Sequence, residues 1–371
     1  MNIIIFSNDF FNIYNFRYSL LIKILEKYPK SQIIIAAKFD GYQNLIKAIS
    51  HKIKLIDLKI ESRDYNLLKN IITLTSIFKC LVKFRPKLVI SYTIKPNFYL
   101  CIIKFFYKFN LIINITGLGD VFINKNKKNI RIFSIYAKII SNANTIVRQN
   151  KYDKNLLIKL NQSVKQKLQI IRGSGVNTNK FRKRRILINN EKIVFTFIGR
   201  IIKEKGIIEF LNAAIKFNRI YRNKAKFLIL GSLYKNNSLF NEKFKRYLKI
   251  SKISHITNSN KINKFIENSH FIVLPSYREG LSKVLLEAIS IGRPLITSNV
   301  PGCSELVIDR VNGYLLKKIS SEEILKAFKK SILLNQFKLS IMSNKSNLIS
   351  RKYTEEKVNY SYTLLIEKYI N

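Results

Sequence analysis

The sequence predicts an α/β fold built from two doubly wound domains in tandem. Three observations carry that prediction. Short β-branched runs alternate with helix-length stretches along both halves of the chain, as expected of parallel sheets covered by helices on both faces. The alternation stops once, over residues 173–192, and then restarts. Eleven of the 12 glycines, all but Gly41, fall at strand ends or in the loops after them, where open α/β sheets bind their ligands. A cleft between the two domains is therefore expected.

In the first half the strand candidates are residues 3–7, 32–36, 54–58, 88–92, 111–116, 145–148 and 167–172, with helical stretches such as 17–27, 65–84 and 97–109 between them. Gly173, Gly175, the run Arg182-Lys183-Arg184-Arg185 and Asn189-Asn190 give the interruption a loop composition. In the second half the candidates are 193–198, 226–230, 254–257, 271–274, 294–297 and 314–316, and three helical stretches close the chain. The expected division is a first domain over 1–178, a linker over 179–192, a second domain over 193–350, and a helix within 351–371 packing back toward the first domain.

Composition narrows the class. At roughly 150 residues per domain, 371 residues make two or three domains. A hydrophobic content of 47% excludes disorder as the main state, and 12 Gly with 6 Pro exclude collagen-like chains. Cys80, Cys101 and Cys303 form no Cys-x-x-Cys pair, which excludes a disulfide framework and a Cys-rich zinc module.

The net charge of +45 points to a polyanionic partner. However, 50 Lys against 17 Arg, with abundant Ile and Asn and no Trp, marks a drift of the whole composition. The charge is spread along the chain and no nucleic-acid-binding module is visible. A basic nucleic-acid-binding protein is thus a distant alternative and no nucleic acid is expected, whereas an anionic membrane surface fits as a partner. The first basic residue is Arg17, so a secretory leader with a charged start is not expected. The longest apolar stretch, 98–115, contains Lys104, Lys108 and Asn110 and is too polar to span a bilayer. The expected location is the cytoplasm, with peripheral contact at the inner face of the cell membrane.

Two segments carry chemistry. In the first, Leu274-Pro275-Ser276-Tyr277-Arg278-Glu279-Gly280-Leu281-Ser282-Lys283 runs from a buried strand into a loop, and a helix is expected to start near Leu281. Free N–H groups at such a start suit a diphosphate. Glu279 and Glu287 would repel that phosphate, so they suit sugar hydroxyls as hydrogen-bond acceptors; ordinary surface glutamates are the plain alternative. In the second segment, Phe197-Ile198-Gly199-Arg200-Ile201-Ile202-Lys203-Glu204-Lys205-Gly206, a strand again ends in glycine. Arg200 offers a fork for phosphate oxygens and Lys205 a point charge.

In order and spacing these elements resemble the retaining nucleotide-sugar glycosyltransferases of family 4, which have the two-domain Rossmann-like GT-B fold. The matching residues are Gly199, Arg200, Lys205 and Gly206; Glu279 and Glu287; then Gly292-Arg293-Pro294, Pro301-Gly302-Cys303-Ser304-Glu305 and Asn312-Gly313. The resemblance implies that Arg200 and Lys205 hold the donor diphosphate and that Glu279 touches the donor sugar, which makes these three the catalytic candidates. It implies that Glu287 binds the ribose and that backbone of Gly280, Leu281 and Ser282, with Gly199, meets the donor. Residues 255–258 would line the base pocket.

The first half resembles a subset of that family through Asn12-Ile13-Tyr14-Asn15-Phe16-Arg17, Thr116-Gly117-Leu118-Gly119-Asp120 and Gly173-Ser174-Gly175-Val176-Asn177. Members of the subset extend sugars on polyprenyl-diphosphate carriers. Asn15, Arg17, Gly117, Gly119 and Asp120 are the acceptor-side candidates this implies. Three features depart from the usual pattern: no glycine loop follows the first strand at Phe6-Ser7-Asn8-Asp9-Phe10, no His stands in 114–120, and Asn177 stands where an Asp is frequent.

The expected activity is transfer of a hexose or N-acetylhexosamine from a UDP-sugar to a lipid-linked saccharide. A GDP- or ADP-sugar, or a lipopolysaccharide-core acceptor, is the alternative on the same fold. His51, His255 and His270 are scattered and no Asp-x-Asp occurs, so turnover is expected to need neither metal nor cofactor. Residues 65–87 and 97–108 mix apolar and basic side chains, which reads either as core helices with a basic rim or as an interfacial surface.

Overall fold

The computed structural model describes residues 1–39, 52–60, 66–117, 127–188, 192–233, 238–251, 253–257 and 259–370. The chain forms two units, one of Met1–Ser174 with Glu356–Asn371, the other of Gly175–Glu355.

In the first unit, strands β1 (Asn2–Asp9), β2 (Gln32–Lys38), β3 (Ile53–Asp57), β4 (Leu88–Tyr92), β5 (Asn110–Ile115), β6 (Thr145–Arg148) and β7 (Leu168–Ile170) pair in parallel, in the order β3-β2-β1-β4-β5-β6-β7. Helices α1 (Phe10–Lys27), α2 (Leu67–Phe84), α3 (Ile94–Ile103), α4 (Lys127–Ile140) and α5 (Lys151–Leu160) connect them. Side chains alternate across each strand. Ile4 and Phe6 of β1 therefore enter one buried cluster and Ile3 and Ile5 enter another. Burial on both faces is why these strands read as unbroken apolar runs.

In the second unit, strands β8 (Ile193–Ile198), β9 (Ala225–Leu230), β10 (Ser254–Ile256), β11 (Phe271–Leu274), β12 (Leu295–Ser298) and β13 (Gly313–Leu316) are also parallel, ordered β10-β9-β8-β11-β12-β13. Helices α6 (Ile207–Ile220), α7 (Ser238–Ser251), α8 (Ile262–Glu267), α9 (Lys283–Ile291), α10 (Ser321–Ile332) and α11 (Gln336–Ser350) surround them. Phenylalanines fill much of the core; the rings of Phe195 and Phe328 are 4.3 Å apart.

The last helix, α12 (Glu355–Ile370), belongs to the first unit from Glu356 onward. Its Tyr362, Leu365 and Ile366 are buried with Ile3 and Ile5. The Tyr362 hydroxyl donates to Asn114 Oδ1 at 2.5 Å, and the Tyr369 hydroxyl lies 2.6 Å from that of Thr145.

Three boundaries differ from the sequence reading. Helix α1 starts at Phe10, well before residue 17, because Asp9 caps it: its Oδ1 accepts from Asn12 N at 2.7 Å. The strand therefore passes into the helix without a glycine loop. Helix α3 begins and ends earlier than 97–109. Finally, the chain divides at Ser174/Gly175 and Glu355/Glu356, and residues 179–188 of the expected linker pack as part of the second unit. Phe181 and Ile186 are buried in the second unit's core. The guanidinium of buried Arg293 donates to the carbonyls of Arg184 (3.1 Å), Arg185 (3.2 Å) and Glu267 (2.8 Å), which straps the basic run down.

Candidate functional site

Strand order reverses at β8 and β11 in the second sheet. Loops leaving the carboxyl ends of strands at such a reversal diverge and leave room for a ligand. Both chemistry-bearing segments leave the sheet there, Gly199–Gly206 from β8 and Pro275–Ser282 from β11.

The two loops fit together through backbone. Gly206 has φ +70°, and a Cβ there would lie 2.2 Å from the Pro275 carbonyl oxygen, so only glycine fits. Tyr277 N donates to Glu204 O at 2.9 Å, and the Tyr277 hydroxyl donates to Glu209 Oε1 at 2.7 Å. Burial and that carboxylate push the phenol up to about 12.

Lys205, in a one-turn 3₁₀ helix, forms an ion pair with Glu279 Oε1. The same oxygen accepts from Ser276 Oγ at 2.8 Å. Oε2 has no hydrogen-bond partner among the described residues. Arg200 is exposed and its side chain has no partner among the described residues. The result is one free guanidinium and one ammonium already matched to a carboxylate.

Helix α9 begins at Lys283, two residues later than expected, with Ser282 at its N-cap and no side-chain cap. Its first N–H groups and partial positive charge therefore lack the usual capping oxygen. Gly302 brings the loop after β12 onto this start: at φ +78°, its Cβ would lie 2.4 Å from Gly280 O, and its carbonyl accepts from Ser282 N at 3.2 Å. Leu281 is half-buried beside them.

Glu287 lies one turn into α9 and is 8% exposed. Burial pushes its carboxyl up to about 7; Lys283 and Lys180 oppose the shift and Glu355 adds to it. His255, the middle residue of β10, has Nε2 2.8 Å from the Gly231 carbonyl. His270 is structural: its Nδ1 accepts from Val194 N at 2.9 Å and its Nε2 lies 2.7 Å from Leu187 O. Among the described residues no group of His, Cys, Asp or Glu is placed to hold a metal ion.

Three of the acceptor-side candidates, Asn15, Arg17 and Gly117, lie among the described residues. Arg17 is buried, its guanidinium 4.4 Å above the Tyr92 ring and 5.8 Å from that of Tyr362, with Nη1 donating to Gly173 O at 3.2 Å. That is a core position, held by two aromatic rings and a backbone carbonyl. Asn15 donates to Phe11 O within α1 at 3.1 Å. Gly117 faces open space. Gly119 and Asp120 lie outside the described residues, as do His51 and Asn258.

Two residues escaped the sequence reading. Ser276 was quoted only as part of a run, yet it orients Glu279. Thr93 sits where the first sheet reverses between β1 and β4, with φ +73°, a region a β-branched residue rarely adopts. Its hydroxyl accepts from Asn8 N at 3.2 Å, which ties the two strand ends together. Nothing in the local sequence signals that strain, because the usual marker is a glycine.

Residues 178–347 match the family described as Glycosyl transferases group 1. Over 337 residues, 84% of each chain, the protein is 24% identical to the N,N'-diacetylbacillosaminyl-diphospho-undecaprenol alpha-1,3-N-acetylgalactosaminyltransferase of Campylobacter jejuni. It is 28% identical to the capsular polysaccharide biosynthesis glycosyltransferase CapM of Staphylococcus aureus over 158 residues, 42% of this chain and 41% of that protein. The crystal structure of Anabaena HepE in complex with UDP and glucose superimposes with a TM-score of 0.78 at 15% identity, covering 99% of this chain and 100% of that one, which establishes the shared fold. The two reversed parallel sheets, the ordered motif run after β8, β11 and β12, and these likenesses together identify a glycosyltransferase of the GT-B fold whose residues 178–347 match the group 1 family.

Proposed function

We propose that the protein transfers a hexose or N-acetylhexosamine from a UDP-sugar to a lipid-linked saccharide, with retention, in the cytoplasm, during surface-glycan or glycoprotein biosynthesis. The observation that carries this reading is the cluster of Lys205, Glu279 and Ser276 beside the uncapped start of α9. The donor diphosphate takes the helix start, Lys205 and Arg200, which offset the charge that develops as it leaves. Glu279 keeps one oxygen on Lys205 and Ser276 and turns the other to a donor-sugar hydroxyl. Glu287 accepts from the ribose, and backbone near His255 lines the base.

In the reaction, the bond from the sugar C1 to the diphosphate oxygen breaks as a bond to the acceptor hydroxyl oxygen forms on the same face. The hydroxyl proton passes to the departing phosphate oxygen, so the nucleoside diphosphate supplies the base. The activity of the Campylobacter relative, on a diphospho-undecaprenol-linked sugar, supports the acceptor class. The UDP and glucose bound by HepE support the donor class.

The test is a panel of UDP-hexoses and UDP-N-acetylhexosamines with an undecaprenyl-diphosphate-linked saccharide, followed by UDP release and by the anomeric coupling of the product. An α-linked product from one α-donor is expected. A β-linked product, or release only from GDP- or ADP-sugars, contradicts the proposal.

A further inference from the structure

The second unit carries a cavity away from the donor loops. Arg310 and Val311 lead into β13 and Tyr314 is its second residue, so the cavity opens beside the amino end of that strand. The donor loops leave the carboxyl ends of β8, β11 and β12 instead. The cavity encloses about 600 Å³, within the range of small-molecule sites.

Its floor is apolar and its rim is cationic. Tyr314 and Met342 are buried there and Leu334 is half-buried. The Tyr314 ring stacks on that of Phe271 at 6.0 Å, which fixes the floor to the core. On α11, Lys338, Ile341, Met342 and Lys345 fall at helical spacing and share one face. The two lysines therefore stand two turns apart, roughly 10 Å, with apolar side chains between them. Lys330, at the end of α10, and Arg310 complete the rim. The side chains of Lys330, Lys338 and Lys345 are exposed and have no partner among the described residues.

The loop before β13 is pinned in place. Arg310 is held at φ +62°, and its N donates to Gly313 O at 2.7 Å. Asn312 Oδ1 accepts from Ile308 N at 2.7 Å, and its Nδ2 donates to Leu306 O at 3.0 Å. The Arg310 guanidinium lies 3.6 Å from Asp309, an exposed pair of the kind that contributes little, so it can turn to a ligand. Asp309 Oδ1 accepts from Leu315 N at 2.9 Å, which takes up an edge N–H that an added strand would need.

Among the described residues no carboxylate lines this cavity, and residues 324–354 contain seven Lys and Arg with no Asp or Glu. A second copy of a chain with net charge +45 would bring charge of the same sign. Four cations over an apolar floor match a doubly charged anion with an apolar body.

We propose that this cavity binds a small soluble organic phosphate. The phosphate meets Arg310 and the lysine rim, and the apolar body covers Tyr314, Leu334 and Met342. The inference does not rest on the proposed reaction, since the cavity shares no residue with the donor loops.

Calorimetric titration of the full chain with 1-naphthyl phosphate, in saturating UDP, tests it, with 1-naphthol and inorganic phosphate titrated separately. One-site binding of the ester, about tenfold or more tighter than either part alone, is expected. The exposed variants Lys338→Glu/Lys345→Glu and Ile341→Glu should each weaken it by about tenfold or more, with unchanged circular dichroism and an unchanged thermal response to UDP. No one-site binding, an affinity no better than that of inorganic phosphate or 1-naphthol, or wild-type affinity in either variant overturns the proposal. Binding of poly-glutamate but not of the ester assigns the cavity to an acidic protein segment and overturns it as well.

Discussion

Lys205 and Glu279, 74 positions apart, leave the sheet from different strands and meet in an ion pair where the strand order reverses. With Ser276 on the same carboxylate oxygen, the pair fixes a cation and an anion side by side before any ligand arrives. Fixed charge that needs no reorganisation is what a transition state with a departing diphosphate requires. Replacing Lys205 with Ala or Glu279 with Gln should lower kcat/KM by about 10²–10³-fold, with the circular dichroism spectrum retained. Wild-type turnover in both variants would remove the pair from catalysis.

Arg200 separates function from folding. It is exposed and its side chain has no partner among the described residues. Arg200→Ala should leave stability within about 0.5 kcal/mol of wild type while weakening UDP binding. Equilibrium unfolding and a UDP titration of the same preparation check both halves.

Glu287 should make stability pH-dependent. Its carboxyl is held up to about 7 by burial, above the 4.5 of the free side chain. Between those values the folded protein binds more protons than the unfolded chain, so this group's contribution falls as pH rises from about 4.5 to 7 and is flat beyond. The cost at neutral pH is on the order of 3 kcal/mol. Glu287→Gln should flatten that part of the melting-temperature profile and raise stability at pH 7, and should weaken UDP binding through the lost ribose acceptor. An unchanged profile would mean that Glu287 titrates normally.

Gly206→Ala tests the contact between the two loops. The variant would place a methyl group on the Pro275 carbonyl and force a left-handed residue, at a cost of about 2 kcal/mol or more. Thermal denaturation reads the loss, and donor binding should fall with it, because the contact positions Lys205.

In the first unit, buried Arg148 pairs with buried Asp153, and Arg148 Nη1 also donates to Ile115 O at 3.1 Å. Asp153→Ala leaves a buried charge uncompensated and should cost about 3–5 kcal/mol. Denaturant unfolding measures it.

The sequence carried most of this architecture because parallel strands buried on both faces leave unbroken β-branched runs. Thirteen such runs were legible, most within a residue or two of the strands, such as 193–198 for β8 and 271–274 for β11. The donor-side motifs were legible because glycines mark close backbone approach, as at Gly206 and Gly302. What stayed hidden depends on partners distant in sequence. Arg17 looks like an accessible cation until Tyr92 and Tyr362 enclose it. The basic run 182–185 looks like a linker until Arg293 straps its carbonyls down. Thr93 takes a conformation that its residue type does not announce.

The central claim is that the loops after β8 and β11 bind a uridine diphosphate. A thermal-shift panel with UDP, GDP, ADP and no nucleotide, run on wild type and Lys205→Ala, tests it most directly. A ligand at about 100 times its Kd adds roughly 2.7 kcal/mol of stability. The account predicts a clear shift with UDP alone that is lost in the variant. A shift with GDP or ADP instead, or an undiminished UDP shift in Lys205→Ala, would contradict it.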